Sequence, residues 1–406
     1  MRNLAYLIGG NTLAQFITIV LSPILSRIYS PKEFGLFGSI TSIVYFLNSF
    51  SLMRLEVELL KNKHSKEEIY KYAISVLFII TMVVFLFILI FKLSVIYYIL
   101  PVLLILSGYY NLSYYNLLLE NNVRNININK ITLAISIGIS QLFFGYIGLT
   151  GIGLILGHLV GFFVTLLMMK NEFYGFKIIG FFEKFKNNIY FDAPSMALNV
   201  VSNHGPTLLI FGLLGGVLGG AYYMAFRVLI LPISVISSSL SNYIGANYIK
   251  WKGDFSEQKN ILEKIIIFTS PFLFLGYYII DDLILLFLGD QWLETSLIAK
   301  VSVFWLYMRF LFDGYLINFS LLDRPNLNLG FQIFSIIIRS TSIFIPYFFN
   351  FNFIDIIKIF CLASFFTYLM GLFLIFYSTG IKSKLFNIFV LFLTIFYFYM
   401  ENIKWW

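Results

Sequence analysis

The chain carries one apolar run after another, each close to the length of a membrane helix, and that repetition decides its solvent. A hydrocarbon core of ~30 Å takes ~20 residues of helix. The runs lie at roughly 4–26, 35–59, 72–91, 96–118, 131–149, 152–169, 191–214, 219–245, 265–287, 297–320, 327–349 and 353–377. They are continuous and do not alternate, which excludes the strands of a membrane barrel. Of the 406 residues, 59% are hydrophobic and only 12% charged, about half the charge of a soluble domain. The predicted fold is all-α and polytopic, with about twelve transmembrane helices. The first run is too long for a cleavable signal peptide and reads as the first span. A shorter run at 385–400 reaches about 24 Å as a helix. It fits a thirteenth span or an interfacial tail anchored by Lys404, Trp405 and Trp406.

The net charge of +8 follows topology. Basic residues gather after the even-numbered runs: Lys61, Lys63, Lys66 and Lys71; Arg124 and Lys130; Lys170, Lys177, Lys184 and Lys186; Lys250, Lys252, Lys259 and Lys264; Arg324; Lys382 and Lys384. The other side holds little beyond Arg27, Lys32 and Lys92. Positively charged loops stay inside, so the N-terminus is expected in the cytoplasm, and no nucleic acid is needed to explain the charge. A lone cysteine, Cys361, forms no internal disulfide. His64, His158 and His204 lack metal-ligand spacing, so neither a metal nor a cofactor is expected.

A repeat is hidden in the polar positions. Asn11, Gln15, Thr18 and Ser22, with Ser26 beyond them, lie on one helical face. A shift of 184 lays the first four on Ser195, Asn199, Ser202 and Pro206. Phe34-Gly35-Leu36-Phe37 matches Gly219-Gly220-Ala221-Tyr222 at a shift of 185. Two six-helix lobes are expected, 1–170 and 191–378, joined by a cytoplasmic linker at 171–190 and followed by a hydrophobic tail at 379–406. Duplication of this kind places a substrate path at the repeat interface. Further polar faces are Arg227, Ser234, Ser238 and Ser241; Ser302, Arg309, Asp313 and Ser320; and Gln332, Ser335, Arg339, Ser342 and Pro346. The stripe Gly153, Gly157 and Gly161 reads as close helix packing, with His158 structural beside it.

Arg309 and Arg339 fall near the middle of their runs, where each costs about 2.5–3.5 kcal/mol on insertion scales. Asp313, four residues on, can neutralise Arg309. Arg339 has no acid on its own run and needs a partner elsewhere or a wet cavity. Arg227 lies about 12 Å into its run. Arg54, near Glu56 and Glu58, sits where snorkelling is an equal explanation. The acids of residues 1–170 all fall in loops or near helix ends. A cavity with arginines and without mid-membrane acids suits an anion such as diphosphate, which guanidinium binds bidentately. The candidate substrate-binding residues are Arg54, Arg227, Arg309, Arg339, Asn11, Gln15, Asn199 and Gln332. Asp192, Asp313 and Glu56 are candidates for ion coupling. No residue is expected to do covalent chemistry.

Four segments carry a resemblance. Ser26-Arg27-Ile28-Tyr29-Ser30-Pro31-Lys32-Glu33-Phe34-Gly35-Leu36-Phe37 is similar to the loop after the first helix of Wzx-type polysaccharide flippases. These belong to the multidrug/oligosaccharidyl-lipid/polysaccharide exporter superfamily. Met53-Arg54-Leu55-Glu56-Val57 resembles their Arg-x-Glu, the run from Gly220 to Pro232 their eighth helix, and Leu288-Gly289-Asp290-Gln291-Trp292 their outer loop after helix nine. The resemblance implies two lobes around a cavity and movement of undecaprenyl-diphosphate-linked O-antigen repeat units across the inner membrane. It also implies lumen arginines at Arg27, Arg54 and Arg227. The lipid-linked oligosaccharide and the bilayer are the expected partners, with a polysaccharide polymerase and a chain-length regulator beside them. Two rivals stand against it. A multidrug cation antiporter of the same superfamily would want a carboxylate in the first half. A membrane glycan polymerase would carry a large outer loop, and here the longest loop faces inward.

Overall fold

The structure, a computed structural model, describes residues 2–61, 65–120, 122–169, 174–186, 188–248, 251, 255–322 and 324–402. His64, Lys63, Lys170, Lys250, Lys252, Lys404, Trp405 and Trp406 lie outside the described residues. Two compact units divide the chain, 1–224 and 225–406. The first holds α1 (Arg2–Ile28), α2 (Pro31–Ser51), α3 (Leu55–Lys61), α4 (Lys66–Ile90), α5 (Ile99–Leu119), α6 (Val123–Tyr146), α7 (Thr150–Met168), α8 (Phe181–Lys184), α9 (Ala193–Leu214) and the start of α10 (Gly216–Asn247). The second holds the rest of α10 with α11 (Ser256–Leu288), α12 (Leu293–Tyr315), α13 (Ile317–Leu321), α14 (Pro325–Phe348), α15 (Phe353–Thr379) and α16 (Lys384–Asn402). Among the described residues there is no strand.

In hydrocarbon each backbone N–H and C=O must be satisfied inside its own segment, and the helix does that. Among the described residues eleven helices are long and apolar enough to span, and α10 makes a twelfth if its halves, Gly216–Ile230 and Pro232–Gly245, count as one. Those halves meet at 42°, because Pro232 removes an amide and its ring crowds the preceding turn. The chain is thus an all-α polytopic membrane protein.

Three boundaries differ from the sequence pattern. The second apolar run is not one helix: it breaks after Ser51, where Met53 and Arg54 take φ of 46° and 61°. Left-handed backbone costs a side-chain-bearing residue roughly 1–2 kcal/mol, and no glycine or proline announces the break. The helix α6 begins at Val123, so Lys130 belongs to a helix and not to the loop. At the other end α16 has 19 residues, about 28 Å of helix. Phe386 packs on Phe373 and Phe376, and Phe392 on Phe274.

Within unit 1 the packing is close because glycines allow it. A Cβ on Gly157 would meet the Gln141 amide at 2.7 Å, and one on Gly161 the Ile137 amide at 2.9 Å. The glycine stripe therefore sets α7 directly on α6. At the other side of the unit, α2 crosses the start of α10 at Gly35 and Gly220. A Cβ on Gly220 would lie 1.6 Å from the Pro31 carbonyl oxygen, and one on Gly35 2.1 Å from that of Gly216. The segment before α9 is strapped to α4: the Tyr72 hydroxyl donates to the Ile179 carbonyl at 2.8 Å, and Lys177 and Lys184 both pair with Glu68.

Candidate functional site

The break after α2 points Arg54 and Glu56 into a cavity of about 480 Å³ inside unit 1. Four spans complete its wall beside α2. From α2 come Tyr45 and Asn48, from α5 Ser107, Tyr110, Asn111 and Tyr115, from α7 His158, and from α9 Asn199, Asn203 and His204. Among the described residues the wall therefore offers four carboxamides, three phenols and two imidazoles against one cation and one acid. Asn48 donates to the Ser107 hydroxyl at 2.9 Å, and Asn203 donates to the Asn199 side-chain oxygen at 3.1 Å. His204 lies tilted against Tyr45 with centroids 4.7 Å apart, and His158 stands edge-on to Phe37 and Phe162. Amides and phenols held in place beside ring faces suit a polyhydroxylated ring.

Arg54 and Glu56 meet only loosely, Nη1 to Oε1 at 3.5 Å. The Glu56 residue is 8% exposed, and its Oε2 atom is buried without a hydrogen-bond partner. On α3, between the spans Pro31–Ser51 and Lys66–Ile90, burial pushes the Glu56 carboxyl above its ordinary pKa, while its own amide and Arg54 act in the opposite direction.

The structure brings Arg54, Glu56 and Asn199 together and places the other sequence-derived candidates elsewhere. Asn11 and Gln15 sit on α1, which contributes nothing to the lining. Asn11 accepts from Lys130 of α6 at 3.5 Å, and Thr18, Ser22 and Ser26 bond back to their own helix. Asp192 is exposed just ahead of the first turn of α9, where a carboxylate complements the helix dipole. Arg27 is exposed at the end of α1.

In unit 2, Arg227 is partly buried on α10. Arg309 pairs with Asp313 of its own helix, Nε to Oδ2 at 3.2 Å. Gln332 is buried and donates to Asn328 at 3.5 Å. Arg339 is 1% exposed. Its guanidinium carbon stands 5.3, 5.2 and 5.7 Å from the ring centres of Trp305, Phe360 and Tyr368. Its Nε donates to the Ser364 hydroxyl at 3.2 Å and its Nη1 to the Tyr368 hydroxyl at 3.4 Å. The partner elsewhere that its sequence position required is thus an aromatic and hydroxyl cage.

Sequence reasoning missed Tyr45, Asn48, Asn111, Asn203 and His204. Only a polar periodicity along α2 and α5 could have found the first three. It also missed the pair of Lys300 and Asp281, which joins α12 to α11. Among the described residues no group of three or more His, Cys, Asp or Glu could hold a metal.

The two units of spanning helices make a polytopic membrane fold that solved structures share. The chain is similar to the lipid II flippase MurJ in an inward closed conformation, with a TM-score of 0.72 at 16% identity over 98% of this chain and 93% of that one. It is similar to an inward-facing multidrug resistance MATE family transporter of the MOP superfamily, with a TM-score of 0.65 at 14% identity over 92% and 96%. A MOP superfamily transporter from Pyrococcus furiosus gives 0.59 at 12% identity over 93% and 95%. A comparison with curated protein sequences gives no match. Residues 24–297 match the family described as polysaccharide biosynthesis protein, and the chain belongs to that family. The resemblance read from Ser26–Phe37 and its companion motifs is borne out by the polysaccharide biosynthesis family match and by the shared fold.

Proposed function

We propose that the protein is a flippase of the bacterial inner membrane. It moves undecaprenyl-diphosphate-linked oligosaccharide repeat units from the cytoplasmic to the periplasmic leaflet, for O-antigen or another surface polysaccharide. The sugar-diphosphate head enters the polar cavity while the prenyl tail stays in lipid. Two six-helix lobes, 1–170 and 191–378, then rock to expose the head outward. The observation that carries the reading is the unit 1 cavity, where Arg54 stands at the edge of a wall of carboxamides and phenols. A guanidinium fits a diphosphate, and the amides fit sugar hydroxyls. The family match supports the polysaccharide side of the assignment. No step makes or breaks a covalent bond, so the protein is a carrier. The finer candidates, Arg227, Arg309, Gln332 and the coupling acids Asp192 and Asp313, remain part of this proposal, as do a polymerase and a chain-length regulator as partners.

Deletion tests it. Cells without the protein should hold completed lipid-linked units that only reagents entering the cytoplasm can reach. An Arg54→Ala copy at normal protein level should leave surface glycan at least tenfold down. Single units displayed at the surface, with only chain extension missing, would identify a polymerase instead. Intact glycan with a lost resistance to cationic drugs would identify an antiporter.

A further inference from the structure

The carboxylate of Glu56 has two oxygens in different situations. Oε1 faces Arg54 at 3.5 Å, and Oε2 is buried without a partner. A buried acceptor left unmade is costly, and an ion pair at that distance returns little. The arrangement is therefore poor as a structural salt bridge. Arg54 is held in place for something else by the left-handed backbone at Met53 and Arg54, and strain of this kind collects at working sites.

Charge then decides what happens when an anion arrives. Among the described residues the cavity wall holds one cation, Arg54, and one acid, Glu56. A diphosphate drawn to Arg54 meets the Glu56 carboxylate within the same buried space. Like charges there cannot both persist, and the weaker acid gives way by taking a proton. A diphosphate linked at both ends has no proton to gain near neutrality, so Glu56 is the group that changes.

We propose that Glu56 is a built-in occupant of the anion site: in the empty protein its carboxylate holds Arg54, and the substrate's diphosphate takes that place while Glu56 takes up a proton from solvent. This rests on the flippase reading above and adds to it a proton-linked binding step. The other titratable groups around the pair are accounted for. On α5, Tyr115 lies beside both charges and Tyr110 faces the cavity. On α4, Tyr70 donates to the Leu112 carbonyl and Lys66 pairs with Glu120. Glu58 follows on α3, Tyr45 lines the wall from α2, and His158 and His204 line it from α7 and α9. Among these side-chain types imidazole is the one whose ordinary pKa lies near neutrality, and the test separates the histidines from Glu56.

The direction follows from linkage. The complex holds one more proton than the empty protein, so affinity is greatest below the midpoint of Glu56 in the empty protein. It falls as pH rises, by up to about tenfold per pH unit, until the midpoint in the complex is passed. Titration calorimetry on the purified full chain, with geranyl-diphosphate-linked N-acetylglucosamine as probe, reads both affinity and proton uptake. Repeating it in two buffers of different ionisation enthalpy should give about one proton taken up per probe at pH values between the Glu56 midpoints of the empty protein and of the complex. Glu56→Gln should bind at every pH at least as tightly as wild type does at the acid end, with uptake near zero. Arg54→Gln should lose at least tenfold in affinity. Infrared difference spectra of wild type should show a new protonated carboxyl band on probe addition, which keeps the test open if Glu56→Gln fails to fold.

Binding without pH dependence overturns the inference and leaves the flippase reading standing. A slope that survives in Glu56→Gln and vanishes in His204→Gln overturns it too, by moving the proton to the imidazole. No binding at any pH by wild type or Glu56→Gln overturns the inference and the functional reading together.

Discussion

A guanidinium at membrane depth is accommodated either by reaching water or by collecting acceptors and ring faces around it. Arg339 does the second: three aromatic rings and two hydroxyls enclose it. Such a residue binds the helices that cage it, here α12, α14 and α15. Arg339→Ala should empty a large core volume and unpair the cage, at a cost of about 3 kcal/mol or more. Thermal unfolding of the purified protein and its level in membranes would both drop. Arg339→Lys should not restore them, because an ammonium lacks the flat face that stacks between rings. Arg339→Met, of similar volume and without charge, should recover much of the loss. A fully stable Arg339→Ala protein with no surface glycan would instead place this arginine on the substrate path. The depth and polar face of Arg339 were legible in the sequence. Its partners were not, because Trp305 and Phe360 lie on other helices and ring cages leave no periodic mark among 19% aromatic residues.

At the scale of elements, the two stretches that match at a shift of 185 touch each other. Pro31 and Gly216 open α2 and α10, 185 residues apart, and Gly35 and Gly220 are 185 apart as well. The clashes that a Cβ would cause are reciprocal: from Gly35 onto the Gly216 carbonyl, and from Gly220 onto the Pro31 carbonyl. The approach of the two helix starts is thus reciprocal. Backbone cannot yield as a flexible side chain can, so Gly220→Ala should push the two helix starts apart. The expected cost is about 1–3 kcal/mol, read as a lowered unfolding temperature. Gly35→Ala should act likewise, and the double variant should cost less than the sum, since one crossing is lost only once. Gly276→Ala is the control. It lies within α11 with nothing in reach of a new Cβ, and should be neutral or stabilising by up to about 1 kcal/mol. A Gly220→Ala protein as stable as this control would refute the crossing. Shift and motif were legible from sequence alone. The cavity was legible only at Arg54, Glu56 and Asn199, because the polar residues of α2 and α5 that line it stand among other serines, threonines and tyrosines of the same helices.

For the whole molecule, the sequence pattern carries a commitment about sides. Alternating spans put the N-terminus, the α5–α6 turn and the 174–186 segment on one face of the membrane, and the α6–α7 turn on the other. Basic residues favour the first face. On that face Glu68 collects Lys177 and Lys184, and the Lys177 amide donates to the Ser75 hydroxyl at 2.8 Å, so Lys177 is a poor place for a probe. Lys186 is exposed in the same segment, and Tyr146, at the end of α6, is 87% exposed. The native Cys361 is 1% exposed within α15 and should stay silent, with Cys361→Ser as a safeguard that keeps a hydroxyl near Ser302. A membrane-impermeant thiol reagent added to intact spheroplasts should therefore label Tyr146→Cys and leave Lys186→Cys untouched. Permeabilised cells should label both. The reverse pattern would invert every loop together, since the spans alternate without a free choice. It would carry Arg54, Glu56 and the end of the cavity near them to the periplasmic face. A head group made in the cytoplasm would then have no entry to that end, and the direction of transport proposed above would fail with the topology.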